Sequence, residues 1–351
     1  MHPARVPLPP CLPGEWPVTM PRHPPVPIID MSRPDAASLR ALDAACRDHG
    51  FFLLSGHGLD ALIERTWEHT RRFFDADRGL RLAVQRDAAN PLGYFDRELT
   101  KRRRDTKEVF DFVDPSLPRL DAKNRWPEGL AGFRDTLVAF FDAFSELADR
   151  TLPLLHAALE LSPDGRAAMG SSRHSSTVRL NHYPVGDPVP EAERAGLAAL
   201  GETALGYHTD PGVLTLLLQD DTGGLQTQSA TLAPEHGGWI DVPPSPGTIV
   251  VNLGDCMQAW TNDRYRAAVH RVLPMHARRR FSIPYFANPA RDAIVAPLPE
   301  LAQAGAHYRA VSWREFIQAR VNDNFEDAGA EDTQMADFRI PDAQAAGTRD
   351  A

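Results

Sequence analysis

The chain has 351 residues, 42% of them hydrophobic and 24% charged, a composition that supports a folded core over most of its length. A formal net charge of −9 removes the basic surface that sequence-independent nucleic-acid binding needs, and no apolar run approaches the roughly 18–20 residues that span a bilayer. Three cysteines, Cys11, Cys46 and Cys256, lack any C-x-x-C spacing and so make neither a disulfide framework nor a zinc knuckle; with no signal pattern at the N-terminus, the expectation is a soluble cytoplasmic protein.

Ten of the 31 prolines fall in the first 27 residues. Each removes a backbone donor and fixes φ, so residues 1–25 read as a disordered leader whose first 19 residues are dispensable. Val26 to Asp30 reads as a strand. Asp35 to His49 carries Leu39, Leu42 and Cys46 at helical spacing, and Gly50 suits its stop. Phe51 to Leu54 is a buried strand, followed by a helix from Leu59 to Phe74. A third helix runs from Gly132 to Glu160, with Phe133, Leu137, Phe140, Phe141, Phe144 and Leu147 as its core stripe. Residues 26–170 are therefore expected to be mostly helical.

The pattern changes near Ser175. Thr177 to Tyr183 is strand-like, and from Leu205 to Ala287 short apolar segments alternate with turns such as Gly223-Gly224, Pro246-Gly247 and Asn262-Asp263. Strands at this spacing predict a sandwich or barrel over 171–290. Residues 291–340 resume a helix with Trp313, Phe316, Ile317 and Val321 on one face, and 341–351 read as a frayed tail.

Three positions carry candidate chemistry. In His208-Thr209-Asp210, a strand would project an imidazole and a carboxylate to one side, a pair that suits a borderline divalent metal such as Fe(II). The tripeptide alone is equally compatible with a surface turn. His270 lies among apolar residues, where a core histidine is the plainer reading. Ten residues on, Arg280 and Ser282 form another i, i+2 pair, and Pro274 to Arg279 supplies a turn that would let the two segments pair as a hairpin facing one cavity. An inward Arg280 needs an anion, and its planar fork suits a carboxylate. The alternative leaves it in the exposed run Arg278–Arg280. Trp260, Phe286 and Cys256 read as core.

Taken together, His208, Asp210, His270, Arg280 and Ser282 resemble the H-x-D, distal H and R-x-S pattern of the Fe(II)/2-oxoglutarate-dependent dioxygenases, in the branch of isopenicillin N synthase. The text between them fits as well: Gly224-Leu225-Gln226, Trp239 to Pro244, and Gly247 to Asp255. Upstream, Arg179 to Pro184, Val26 to Asp30, His49 to Phe52, Gly56 to Gly58 and Asp105 to Asp111 extend the likeness over about Val26 to Asp327.

The resemblance implies an α+β protein built on a double-stranded β-helix, or jelly roll, flanked by N- and C-terminal helices. It implies Fe(II) held by His208, Asp210 and His270, with 2-oxoglutarate and O2 completing the coordination. Arg280, Ser282 and Tyr183 would cradle the distal carboxylate, and Asn181 would reach the metal end of the cosubstrate. The reaction would oxidise a small molecule by hydroxylation, desaturation or cyclisation, in a monomer without nucleic-acid or membrane partners. Two alternatives stay open: an Fe(II) oxidase of the same fold that does not use 2-oxoglutarate, and a non-catalytic jelly-roll binding protein. The basic stretch Arg97 to Arg104 either flanks the site's mouth and attracts an anionic substrate or is simply a solvated face.

Overall fold

A computed structural model describes residues 26–229, 238–321 and 333–341. The proline-rich leader over 1–25 and all but the first residue of the 341–351 tail lie outside the described residues.

The N-terminal strand β1 (Ile28–Asp30) leads into α1 (Ala36–Asp48), where the Asp35 carboxylate caps the helix by accepting from the Ser38 amide. Gly50 has φ +66°, and a side chain there would meet the Arg266 carbonyl, so the chain turns directly into β2 (Phe51–Ser55). Helices α2 (Asp60–Phe74) and α3 (Arg78–Ala83) follow. Next come four strands: β3 (Gly93–Phe95), β4 (Leu99–Thr100), β5 (Arg103–Arg104) and β6 (Glu108–Val113). Three helices complete this part: α4 (Pro118–Asp121), the long α5 (Phe133–Ala158) and α6 (Pro163–Ala168).

From here the chain is largely strand. It runs through β7 (Thr177–Tyr183), β8 (Leu205–His208), β9 (Leu214–Gln219), β10 (Leu225–Gln228), β11 (Trp239–Asp241) and β12 (Ile249–Leu253). A short α7 (Asp255–Trp260) precedes β13 (His270–Val272), β14 (Arg280–Ala287), β15 (Ile294–Val295) and β16 (Val311–Ser312). The last described helix is α8 (Trp313–Val321).

Two sheets form the jelly roll. The larger has eight strands in the order β1-β2-β12-β9-β14-β7-β6-β3, and the smaller has four, β11-β10-β13-β8. Strand alternation assigns each buried strand to two cores. Phe51, Leu53, Leu217 and Val250 join Leu225, Ile240 and Val272 in one apolar cluster, while Phe52, Leu54, Leu216, Leu218 and Val251 join Phe140, Phe141 and Phe144 of α5 in the other. That double burial is why Phe51-Phe52-Leu53-Leu54 reads as an unbroken apolar run.

Two sequence expectations change. β13 and β14 do not form a hairpin. β13 pairs with β10 and β8 in the small sheet, and β14 pairs with β9 and β7 in the large one. The Pro274–Arg279 segment therefore carries the chain from one sheet to the other. In addition, the region before residue 170 adds β3 and β6 to the large sheet, beside β1 and β2, which were read as strands in the sequence. β6 escaped sequence reading because its buried positions include charged residues: Glu108 and Asp111 are 4% and 9% exposed and meet His182 and Arg179.

Candidate active site

β8 and β13 run antiparallel with His208 opposite His270, and their rings lie 4.3 Å apart between centroids. His208 Nδ1 sits 2.8 Å from the Gly206 carbonyl, and His270 Nδ1 sits 2.9 Å from the Ala268 carbonyl. A carbonyl only accepts, so both Nδ1 atoms carry the proton and both Nε2 atoms present a lone pair. These Nε2 atoms lie 3.7 and 3.9 Å from Asp210 Oδ1. The three residues offer ligand atoms within 4.8 Å of one another, and they make the one such group of at least three among the described residues.

Asp210 lies beyond the end of β8, so the strand rule that brought it beside His208 is only half the reason. A turn finishes the placement. The Asp210 carbonyl accepts from the Asp255 amide at 2.8 Å, and Gly254 packs so close that a Cβ there would lie 2.8 Å from that carbonyl. Asp210 Oδ2 accepts from Thr215 Oγ1 at 2.5 Å and Asn252 Nδ2 at 2.7 Å. Oδ1 is thereby left aimed at the imidazoles. Burial raises the Asp210 pKa, but the two imidazoles, then Thr215 and Asn252, outweigh it and hold the carboxyl below its ordinary range. Burial, then His270, lowers the pKa of His208. Two neutral imidazoles and one carboxylate are the donor set of a facial triad for Fe(II), and their net charge favours a cation.

Arg280, Ser282, Asn181 and Tyr183 occupy one pair of strands. Arg280 stands opposite Tyr183, and Ser282 opposite Asn181, across β14 and β7. The neighbours of Arg280 go elsewhere: Arg278 bonds Asp221 and Arg279 bonds Asp75 at the surface. Arg280 itself is 0% exposed. Its Nε, Nη1 and Nη2 have no hydrogen-bond partner among the described residues, and its guanidinium carbon lies 4.9 Å from the Tyr183 ring centroid. Asn181 Nδ2 donates to Ser282 Oγ at 3.2 Å. A buried guanidinium without an acceptor costs several kcal/mol, so the site fits an anion that supplies one. A dicarboxylate can meet Arg280 with one end and the metal with the other.

Several residues of this centre were not singled out in the sequence. Asn252 and Thr215 fix Asp210, and a lone Asn in the buried run Val250-Val251-Asn252-Leu253 is the signal that could have found it. Arg320 of α8 donates to the Thr209 carbonyl at 2.9 Å, between two candidate ligands. Lys107 is buried beside Glu98 and Asp105, at 3.1 and 3.2 Å.

Comparison with known proteins agrees with this geometry. Residues 174–289 match the model of the 2OG-Fe(II) oxygenase superfamily, and residues 26–129 match that of the non-haem dioxygenase in morphine synthesis N-terminal region. The chain is 30% identical over 308 residues to gibberellin 3-beta-dioxygenase 4 of Arabidopsis thaliana, covering 84% of this chain and 81% of the relative. It is 33% identical over 310 residues to gibberellin 3-beta-dioxygenase 2-2 of Triticum aestivum, covering 84% and 78%. Among solved structures, JOX2 in complex with 2OG, Fe and JA superposes with a TM-score of 0.75 at 26% identity, covering 90% of this chain and 89% of that one. The rice dioxygenase for auxin oxidation gives 0.70 at 26% identity, covering 90% and 100%. No helix among the described residues is long and apolar enough to cross a membrane. The chain belongs to the 2OG-Fe(II) oxygenase superfamily and is a 2-oxoglutarate/Fe(II)-dependent dioxygenase.

Proposed function

We propose that residues 171–290 form the catalytic core of an isopenicillin N synthase-like oxygenase that couples decarboxylation of 2-oxoglutarate to oxidation of a small molecule. His208, Asp210 and His270 hold Fe(II). Arg280 takes the distal carboxylate of 2-oxoglutarate, with the Ser282 and Tyr183 hydroxyls beside it, and Asn181 fixes Ser282. Iron, 2-oxoglutarate and dioxygen together supply an oxidant able to remove hydrogen from an unactivated C–H bond. The chain's own part is to orient and to keep dry. Asn252 and Thr215 occupy one Asp210 oxygen, the backbone carbonyls set both imidazole tautomers, and the apolar cluster around Phe51, Leu217 and Val250 excludes water. Hydroxylation is the default outcome, with desaturation or cyclisation set by where the substrate lies. The enzyme acts as a cytoplasmic monomer, without nucleic acid or membrane.

The observation that carries this reading is Arg280, whose cation is buried with no acceptor among the described residues. It favours use of 2-oxoglutarate over an iron oxidase that dispenses with it. The test is succinate formation from Fe(II), 2-oxoglutarate and oxygen, including uncoupled turnover. Arg280→Ala should lose it, and His208→Ala should also lose bound iron. Anaerobic addition of 2-oxoglutarate to the Fe(II) protein should give a weak visible charge-transfer band; no band and no succinate would sink the assignment.

A further inference from the structure

We propose that the β4–β5 hairpin recognises the substrate, with Lys101 and Arg103 receiving the anionic group of a small organic acid. The proposal rests on the oxygenase reading and names its substrate class.

The position of the hairpin is the first argument. β8 carries His208, and β4 packs on β8 so closely that a Cβ on Gly206 would lie 2.5 Å from Thr100 Cγ2. A bulge in β8 lets the three-residue step from Leu205 to His208 span the two-residue step from Val272 to His270. Tyr207 in that bulge is 51% exposed, and the Lys101 ammonium sits 3.1 Å from its ring centroid. His208 is also the open member of the triad. Its side chain is 26% exposed, against 10% for His270 and 6% for Asp210. The hairpin thus packs on the strand that carries the most exposed of the three ligands.

The turn itself is the second argument. Lys101 and Arg102 have φ of 49° and 63°, in the left-handed region. A two-residue turn of this kind ordinarily takes Asn-Gly, and side-chain-bearing residues there carry strain. Strain of this kind persists where the surroundings over-determine it. Here they do: Leu99 and Thr100 pair with Arg104 and Arg103, the Arg104 amide donates to Ala199 O at 3.0 Å, and Thr100 Oγ1 donates to Asp105 at 2.9 Å. The cations stand on a fixed platform.

Charge is the third. Arg104 is taken up by Asp187 through two bonds of 2.7 Å, and Arg97 by Glu193. Lys101 and Arg103 are exposed and have no carboxylate within 4.0 Å among the described residues. A solvated face would share the acidity of a chain of net charge −9. Here Lys101 and Arg103 stand on the hairpin that packs against the strand of the most open ligand, where they can attract an approaching organic anion.

The test uses the full chain with Fe(II) and 2-oxoglutarate under anaerobic conditions. Matched probes are added: benzoate and benzamide, phenylacetate and phenylacetamide, octanoate and octanamide, phenyl phosphate and phenol. Perturbation of the Fe(II)/2-oxoglutarate charge-transfer band is read. In the wild type at least one acid should act at tenfold or more lower concentration than its neutral partner, and the advantage should shrink as salt rises. Carboxylate and phosphate arms distinguish the anion. Lys101→Glu with Arg103→Glu should erase the advantage while the band still forms, and Lys101→Arg with Arg103→Lys should keep it. Equal response to acid and neutral partner, no response to any acid, or an advantage that survives charge reversal overturns the proposal. A wild type that forms no band at all sinks the oxygenase reading instead.

Discussion

Asp210 shows how much of the candidate centre is made by residues outside the proposed ligand set. One of its oxygens is held by Thr215 and Asn252, so the other faces the imidazoles. Asn252→Ala should therefore weaken Fe(II) binding about 10- to 100-fold, read by anaerobic titration, with little change in fold. The neighbouring Asp255 offers a pH test. It is 4% exposed and one of its oxygens has no partner among the described residues. Burial raises its pKa most, Arg320 and Thr209 pull down by less, and Asp210 adds to the rise, leaving it at about 6 against an ordinary 3.8. A folded value above the unfolded one means the folded state holds the proton more tightly. Stability is then full below about pH 4 and falls as pH rises to about 6, by roughly 3 kcal/mol. Asp255→Asn should remove that fall. In metal-free protein, its stability advantage over wild type in urea should grow between pH 4 and pH 7; a constant difference would contradict the account. His208, Asp210, His270 and Arg280 could be picked out as candidates because each is a distinctive residue type at a set spacing. Asp255 and Thr215 could not, because their roles depend on atoms brought together by a turn.

At the level of elements, the sequence revealed where strands lie better than how they pair. Residues 270–272 and 280–287 are strands as read, yet they belong to opposite sheets, because pairing depends on the whole order of strands and not on the connecting turn. Helix α8 illustrates the same point. Its apolar stripe marked Trp313 and Phe316 as core, and both are buried. Its polar side carries Arg320, which donates to Thr209 O at 2.9 Å and to Thr333 O at 3.0 Å. That guanidinium holds the backbone between His208 and Asp210 from a helix more than a hundred residues away. Arg320→Ala should loosen the loop and weaken Fe(II) binding about tenfold, while Arg320→Lys should recover part of it, since lysine offers a point charge without the fork. Equal iron affinity in all three proteins would show that the contact is structural only.

The whole molecule is tied together by its large sheet, which crosses the division at residues 170 and 171. β2 pairs with β12 and β6 pairs with β7, so strands from the first half border both flanks of β12-β9-β14-β7. Ion pairs follow the same seam. Arg179 of β7 bonds Glu98 at 2.8 Å and Asp111 at 2.7 Å, and Glu98 in turn meets Arg86 and Lys107. Arg179 is raised further into its charged form: burial opposes the charge, but Asp111 and Glu98 outweigh it. Removing one member of such a buried network leaves its partners uncompensated, at a cost of about 3–5 kcal/mol. Arg179→Ala should therefore lower stability by about that amount in chemical denaturation. A chain beginning at residue 171 would lose both partners of Arg179, turn β7 and β12 into open edges, and uncover Leu180, Leu216, Val251 and Ile283, which α5 and its neighbours now cover. We expect such a fragment to aggregate and bind no iron, although it holds every proposed ligand. The intact protein should unfold in urea as one transition, with far-UV dichroism and tryptophan fluorescence coincident. Two separated transitions, or a soluble iron-binding fragment, would show that the halves fold independently and that the shared sheet is not what holds the site together.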